Sequence, residues 1–363
     1  MGLEKFFRSS SKDAEPISFM RRELKNAESK YGENHTNVAT CLNALAQLLR
    51  DSRRFSEAEP YYRRALEIQV RSLGNEHPEV AMTLNNLAKL LYESDRLSEA
   101  ETMFRQALKI SENSLGKDHP DVATAINNLA QLLMDSQQFV EADTLLRRAL
   151  EIRERVFGKD DPEVSSTLIN LGRLLQATGR FSDCEPIFRR ALAINERRFG
   201  KDSPQVAICL SNLASLLYKI NRLAEAEPLL RRALEIDKHS FEKDHPQIAT
   251  SLSNLAQVLL DTKRFTEAEP LMRQALAIDE VNYGKDHPNL VNRLSNLVSL
   301  LCSTKRIKEA EPFMRRIVEI FLIISRATKR AHPQLTEASN NYCAILQAIG
   351  HNQKEIETIL GKM

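Results

Sequence analysis

The chain has 363 residues, 42% of them apolar and 28% charged, with a formal net charge of +2. That balance suits a soluble, surface-rich helical protein and gives no global field to draw in nucleic acid or a membrane surface. The five cysteines, Cys41, Cys184, Cys209, Cys302 and Cys343, form no CxxC pair, so neither a disulfide framework nor a zinc knuckle is read. Met1–Phe7 carries Glu4 and Lys5 with no apolar core behind it, and no stretch is long enough to span a bilayer. A cytoplasmic location is expected.

Residues 1–16 show no pattern and are expected to be a disordered tail. Residues 17–35 read as a half repeat: FMRRELKNAESKYG aligns with YYRRALEIQVRSLG further on, with Glu23 where that stretch has the small Ala65. This lone helix is expected to cap the array. Seven full units follow over residues 36–331, with first helices starting near Thr36, Pro78, Pro120, Pro162, Pro204, Pro246 and Pro288. The prolines are each 42 residues apart. Self-similarity at a fixed period marks a repeat architecture, and a linear array escapes the size limit of one compact core. Residues 332–363 form an eighth, atypical unit that starts at Pro333, ends on a short polar helix over Asn352–Leu360, and is expected to cap the C-terminal end.

Within one unit, Leu84, Leu87, Ala88 and Leu91 fall on one face of a first helix. After the polar turn Glu93–Arg96, Ala100, Phe104, Ala107 and Leu108 stripe a second helix. Proline suits the first turn, and the residue before it, His77, His119, Asp161, Ser203, His245 or His287, is placed at the N-cap. Ser98 with Glu101 has capping-box spacing, repeated at Ser56/Glu59, Ser182/Glu185 and Thr266/Glu269. Gly74, Gly116, Gly158, Gly200 and Gly284 lie just past the second helix, where a left-handed residue closes it. The fifth full unit has Glu242 instead. An unchanged loop would force Glu242 left-handed at about 1 kcal/mol, so Glu242→Gly is expected to stabilise.

The spacing of Leu84, Leu87, Ala88, Leu91, Ala100, Phe104 and Ala107 resembles the tetratricopeptide repeat. The longer period and the phrases LNNLA, EAEPLLRRALEI and GKDHP resemble its kinesin light chain type over roughly residues 18–350, with no heptad region beside it. The resemblance implies an all-α, right-handed superhelical solenoid of antiparallel helix pairs with a concave groove. It also implies a scaffold that binds an extended segment of a protein partner.

The junction histidines His35, His77, His119, His245, His287 and His332 are read as caps rather than metal ligands. Asp161 and Ser203 fill the same slot, and stacked units would set these residues about 10 Å apart, too far to share an ion. Acid–arginine pairs recur four residues apart (Glu59/Arg63, Glu101/Arg105, Asp143/Arg147, Glu185/Arg189, Glu227/Arg231, Glu269/Arg273, Glu311/Arg315) and read as a stabilised helix face, each worth about 0.2–0.5 kcal/mol. Neighbouring arginines such as Arg63–Arg64 and Arg147–Arg148 could touch phosphate, but no aromatic residues interleave for base stacking. No nucleophile–base set, phosphate loop or metal-binding motif appears, so no enzyme, cofactor or metal is expected.

One column stands off the core stripe. Asn86, Asn128, Asn170, Asn212, Asn254 and Asn296 share a place in the first helices, with Asn341 in the eighth and Ala44 the exception. The resemblance implies that these amides grip a bound peptide's backbone, a task that suits a group offering donor and acceptor together. The alternative is that each bonds the adjacent repeat. Residues three further on, including Lys89, Gln131 and Arg173, would select side chains, and Lys89, Arg173 and Lys219 would favour acidic residues. Two other functions stay open: self-association or sensing through end surfaces, and single-stranded RNA binding.

Overall fold

A computed structural model describes residues 14–328 and 330–361. Most of the stretch read as a tail lies outside them, and α1 (Ala14–Tyr31) already begins at Ala14. The described residues hold 17 helices and no strand. They fall into two compact units, through Arg198 and from Phe199.

In the N-terminal unit α1 is followed by the pairs α2 (Thr36–Asp51) with α3 (Phe55–Leu73), α4 (Pro78–Glu93) with α5 (Leu97–Leu115), α6 (Pro120–Asp135) with α7 (Phe139–Phe157), and α8 (Pro162–Ala177) with α9 (Phe181–Phe199). The C-terminal unit holds α10 (Pro204–Lys219) with α11 (Leu223–Ser240), α12 (Pro246–Asp261) with α13 (Phe265–Tyr283), α14 (Leu290–Ser303) with α15 (Ile307–Thr328), and α16 (Leu335–Ala348) with the short α17 (Gln353–Gly361).

The small and large positions pack as their spacing requires. Leu87, Ala88 and Leu91 of α4 and Ala100, Phe104 and Ala107 of α5 are buried. Each leucine so buried contributes about 1.5–3 kcal/mol. Val80, Ala81 and Leu84 close over Ala107 and Ile110, with Leu66 and Val70 of α3 against them, so this pair nests on the pair before it. α1 joins in the same way, burying Ile17, Leu24 and Ala27.

The first-helix caps follow the sequence reading in five units and depart from it at Ser203, His287 and His332. Nδ1 of His35, His77, His119 and His245 and a carboxylate oxygen of Asp161 each accept from the backbone N–H two residues on. Ser203 makes no such bond. His287 and His332 also accept from the backbone two residues on, yet α14 and α16 start at Leu290 and Leu335, two residues after Pro288 and Pro333.

The capping-box expectation is wrong. The second helices start two residues earlier than the box requires, at Phe55, Leu97 and Phe265, with Arg54, Arg96 and Arg264 as N-caps and no side-chain cap bond. Ser56, Ser98 and Thr266 therefore lie too far into the first turn. The turn before them is closed by a positive-φ residue, Asp95 at 63° in the second unit, with Arg96 N–H donating to the Leu91 carbonyl. The cap arginines work by charge instead. Arg96 forks onto Glu99 at 2.8 and 2.7 Å and reaches Glu59 of the preceding pair at 2.7 Å. Arg264 does the same with Glu267 and Glu227.

Six of the seven acid–arginine pairs form as read. The seventh does not, because Arg315 turns to Glu319 and Glu311 accepts from the Tyr342 hydroxyl. The neighbouring arginines are staples to the previous junction. Arg148 bonds Glu112 and the Lys117 carbonyl, and Arg190 bonds Glu154 and the Lys159 carbonyl, which commits these guanidinium groups to contacts within the fold.

The junction at Glu242 relaxes rather than strains. Gly116 sits at φ 88°, ψ 153°, a region essentially confined to glycine. α11 instead stops at Ser240, one residue short of its counterparts, Phe241 is extended at φ −122°, and Glu242 is not among the positive-φ residues. Phe241 then stacks on His245 with ring centroids 4.2 Å apart. Glu242→Gly therefore relieves no strain, and the expected gain is withdrawn.

A second feature was not read from the sequence at all. A polar column, Gln69, Ser111, Arg153, Asn195, Asp237 and Asp279, is buried on the core stripe of the second helices. Four of its members bond the next first helix 14 residues on: Gln69 to Thr83, Arg153 to Thr167, Asp237 to Ser251 and Asp279 to Arg293. Asn43 and Asn127 complete the seam through the same threonines.

Asp237 is the member with the clearest cost. Its Oδ2 accepts from Ser251 at 2.5 Å, while Oδ1 is buried with no hydrogen-bond partner. Burial raises its carboxyl above the usual range, against the opposing pull of Ser251, Gln247 and His245. A raised folded-state value means that this group's stabilising contribution is complete below the ordinary carboxyl value and is lost as pH rises through the raised one. Asp237→Asn is therefore expected to melt above wild type at pH 7, with the difference closing below about pH 4. Thermal melts at the two pH values check this, and a constant difference contradicts it.

Candidate functional site

The asparagine column lies on the first helices, each residue just before a buried leucine of the core stripe. On α4 the positions Met82, Asn86, Lys89 and Glu93 form one stripe at helical spacing. Asn86, Asn128 and Asn170 are half-buried in the N-terminal unit, and Met82, Thr124 and Ser166 one turn earlier are exposed. In the C-terminal unit Asn212 and Asn296 are half-buried and Asn254 is exposed, with Ile208, Thr250 and Asn292 exposed one turn earlier.

The amides are not equivalent. Asn128 Nδ2 donates to Asn85 at 2.8 Å and Asn170 Nδ2 to Asn127 at 3.0 Å, so these two knit neighbouring repeats. Asn212 Nδ2 donates to the Ile208 carbonyl of its own helix at 2.9 Å. Asn86, Asn254 and Asn296 bond no group among the described residues. None of the six Oδ1 oxygens accepts a hydrogen bond there. Asn85 and Asn127, one residue before the column, were not singled out from the sequence; their signal was a polar residue recurring beside the leucine stripe.

The selecting positions carry both signs of charge. Lys89 is half-buried, and burial followed by the neighbouring Arg50 guanidinium lowers its amine. Arg50 pairs with Asp51 at 2.8 Å and approaches Glu93 at 3.9 Å. Burial raises the Glu93 carboxyl against the pull of Arg50. Arg173 donates to the side-chain Oε1 of Gln131 at 2.8 Å, which ties two of the sequence-derived site residues together. Tyr92 hydrogen-bonds Asp135, and Tyr218 donates to Asp261 at 2.5 Å. Acids thus line this face as regularly as bases.

No group of three or more potential metal ligands occurs among the described residues. No helix among them is long and apolar enough to cross a membrane.

The fold is shared with solved proteins. BtubC (BKLC) from P. vanneervenii is 24% identical with a TM-score of 0.52, covering 67% of this chain and 94% of that one. A signal transduction ATPase with numerous domains and a tetratricopeptide repeat sensor, from Pyrococcus horikoshii, is 14% identical with a TM-score of 0.62, covering 98% of this chain and 52% of that one. A putative kinesin light chain from Podospora anserina with nearly identical TPR-like repeats is 23% identical with a TM-score of 0.48, covering 57% of this chain and 98% of that one. No curated protein matches the chain. The tetratricopeptide repeat model matches residues 15–69, 49–113, 79–135, 121–183, 167–239 and 241–322. With helix pairs repeating at 42 residues and the model covering nearly all of them, the chain belongs to the tetratricopeptide repeat family.

Proposed function

We propose that the chain is a protein-interaction scaffold whose first-helix faces hold an extended segment of a protein partner. The observation that carries this is the uncommitted amide chemistry at one recurring place. Six Oδ1 acceptors, and the whole amides of Asn86, Asn254 and Asn296, are left over after the fold has taken its own bonds. Backbone N–H and C=O groups of an extended chain match such amides whatever the sequence. Neighbouring side chains then select, and Lys89 and Arg173 favour an acidic residue in the segment. Asp51, Glu93, Asp135 and Asp261 on the same faces disfavour a phosphate backbone, which argues against RNA as the partner.

Selection of random 16-residue peptides on the full chain tests the reading. The variant Asn86→Ala/Asn254→Ala/Asn296→Ala removes amides that bond nothing among the described residues, so its melting should match wild type. Each bond to a peptide is worth about 1 kcal/mol, so the selected peptides should bind about tenfold or more weaker. Asn128→Ala/Asn170→Ala should instead lower melting, because those amides join repeats. Unchanged peptide affinity in the triple variant contradicts the assignment.

A further inference from the structure

We infer that the C-terminal unit carries a carboxylate-binding cleft at Arg293 that receives an acidic side chain of the held segment. This rests on the scaffold reading above and names a subsite within it. A cleft of about 280 Å³ opens between α12, the end of α13 and the start of α14, lined by Thr250, Asp279, Tyr283, Asn289, Asn292 and Arg293. Arg293 Nε donates to Asp279 at 2.9 Å, with the Arg293 side chain 21% and the Asp279 side chain 6% exposed. Neither terminal guanidinium nitrogen of Arg293 bonds a protein group among the described residues. The buried carboxylate fixes the arginine from behind, and the free end of its fork faces the cleft.

The equivalent place in the N-terminal unit shows what such a cleft accepts. There the arginine comes from the second helix, and Arg153 fills the space itself, bonding the Glu163 carbonyl at 2.8 Å, Thr167 at 3.0 Å and Thr124 at 3.1 Å. In the C-terminal unit Asp279 takes the position of Arg153, Arg293 takes that of Thr167, and α14 starts two residues late. The space is therefore left open. Thr250 and Asn292 stand one turn before Asn254 and Asn296, so the cleft adjoins the amide column.

Charge selects the occupant. Asp279 already balances Arg293, and a dianionic phosphate would meet that buried carboxylate at close range. A planar monoanion fits the two free N–H edges as a bidentate pair, with the exposed amides of Asn289 and Asn292 able to donate beside it.

N-acetylglutamate N-methylamide is the probe, followed by nitrogen-15 spectra of the arginine side chains in the full chain. The Arg293 signals should shift saturably with it, and neither with the glutamine analogue nor with inorganic phosphate at equal concentration. Asn292→Asp changes an exposed residue, so it should fold as wild type and bind about tenfold or more weaker. Calorimetric titration of the same probe, which does not depend on the Arg293 signals, should show binding lost in Arg293→Gln and equally in Arg293→Gln/Asp279→Asn, which leaves no buried charge unpaired. An equal response to the glutamine analogue, a stronger one to phosphate, or no effect of Asn292→Asp overturns the inference. Selected peptides that bind with no dependence on Arg293 overturn it while the scaffold reading stands. If the probe binds at Arg293 and no peptide can be selected, the carboxylate cleft stands and the held-segment reading falls.

Discussion

Ending the chain after Ala331 should turn the protein into an aggregating or dimeric species. The reason lies on α15, which buries Met314, Ile317, Val318, Ile320 and Phe321. The eighth pair covers part of that surface with Ala338, Tyr342, Ile345, Leu346 and Ile356, all buried. The Tyr342 hydroxyl donates to Glu311 at 2.7 Å, and His332 stacks on Phe321 at 4.3 Å. Losing the burial of the four large residues alone forfeits about 1.5–3 kcal/mol each and leaves a contiguous apolar face in water. Light scattering on the truncated chain checks this. A monodisperse monomer with unchanged helicity per residue would show that the last pair covers nothing important.

The second large effect is expected at Gly172. Its counterparts in the other full units are Ala46, Ala88, Ala130, Ala214, Ala256 and Val298, so a small side chain is ordinary there. A Cβ added at Gly172 would fall inside van der Waals contact with three ring carbons of Phe188. The reason is a paired exchange. Cys184 stands where the second helices otherwise carry Ala58, Ala100, Ala142, Ala226, Ala268 and Ala310, and its Sγ reaches the Gly172 carbonyl at 3.1 Å. This unit has moved volume from the first helix to the second. Gly172→Ala gains up to about 1 kcal/mol in helix propensity but overpacks at a cost of about 1–3 kcal/mol. Destabilisation should win, and Phe188→Leu, the residue found at Leu146 and Leu230, should recover most of the loss. Denaturant melts of the single and double variants decide it. A single variant at or above wild-type stability would mean that Phe188 moves aside freely.

What could be read from the sequence follows from how far each interaction reaches along the chain. Helix pairing, the small–large alternation and most first-helix caps depend on residues within one turn or one hairpin, so the 42-residue period makes them plain. The capping box failed by two residues, because the helix start is set by a left-handed turn residue such as Asp95, which only two units mark with glycine, Gly179 and Gly350. Arg148 and Arg190 looked available for phosphate because their partners, Glu112 and Glu154, lie on the preceding second helix. The polar column was missed for a different reason. Gln69 lies four residues after Ala65, on the core stripe, yet its partner Thr83 belongs to the next pair and the residue type changes from repeat to repeat. The asparagine column was visible as a pattern, but its division into amides that join repeats and amides left over is a matter of distance.

The central claim is that an extended segment lies along the first-helix faces. A photoreactive residue placed at Met82 or Ile208, both exposed on first helices, should cross-link a selected peptide in high yield. The same residue at Val140 or Val281, exposed on second helices, should not. Cross-linking confined to Val140 and Val281 would contradict the account.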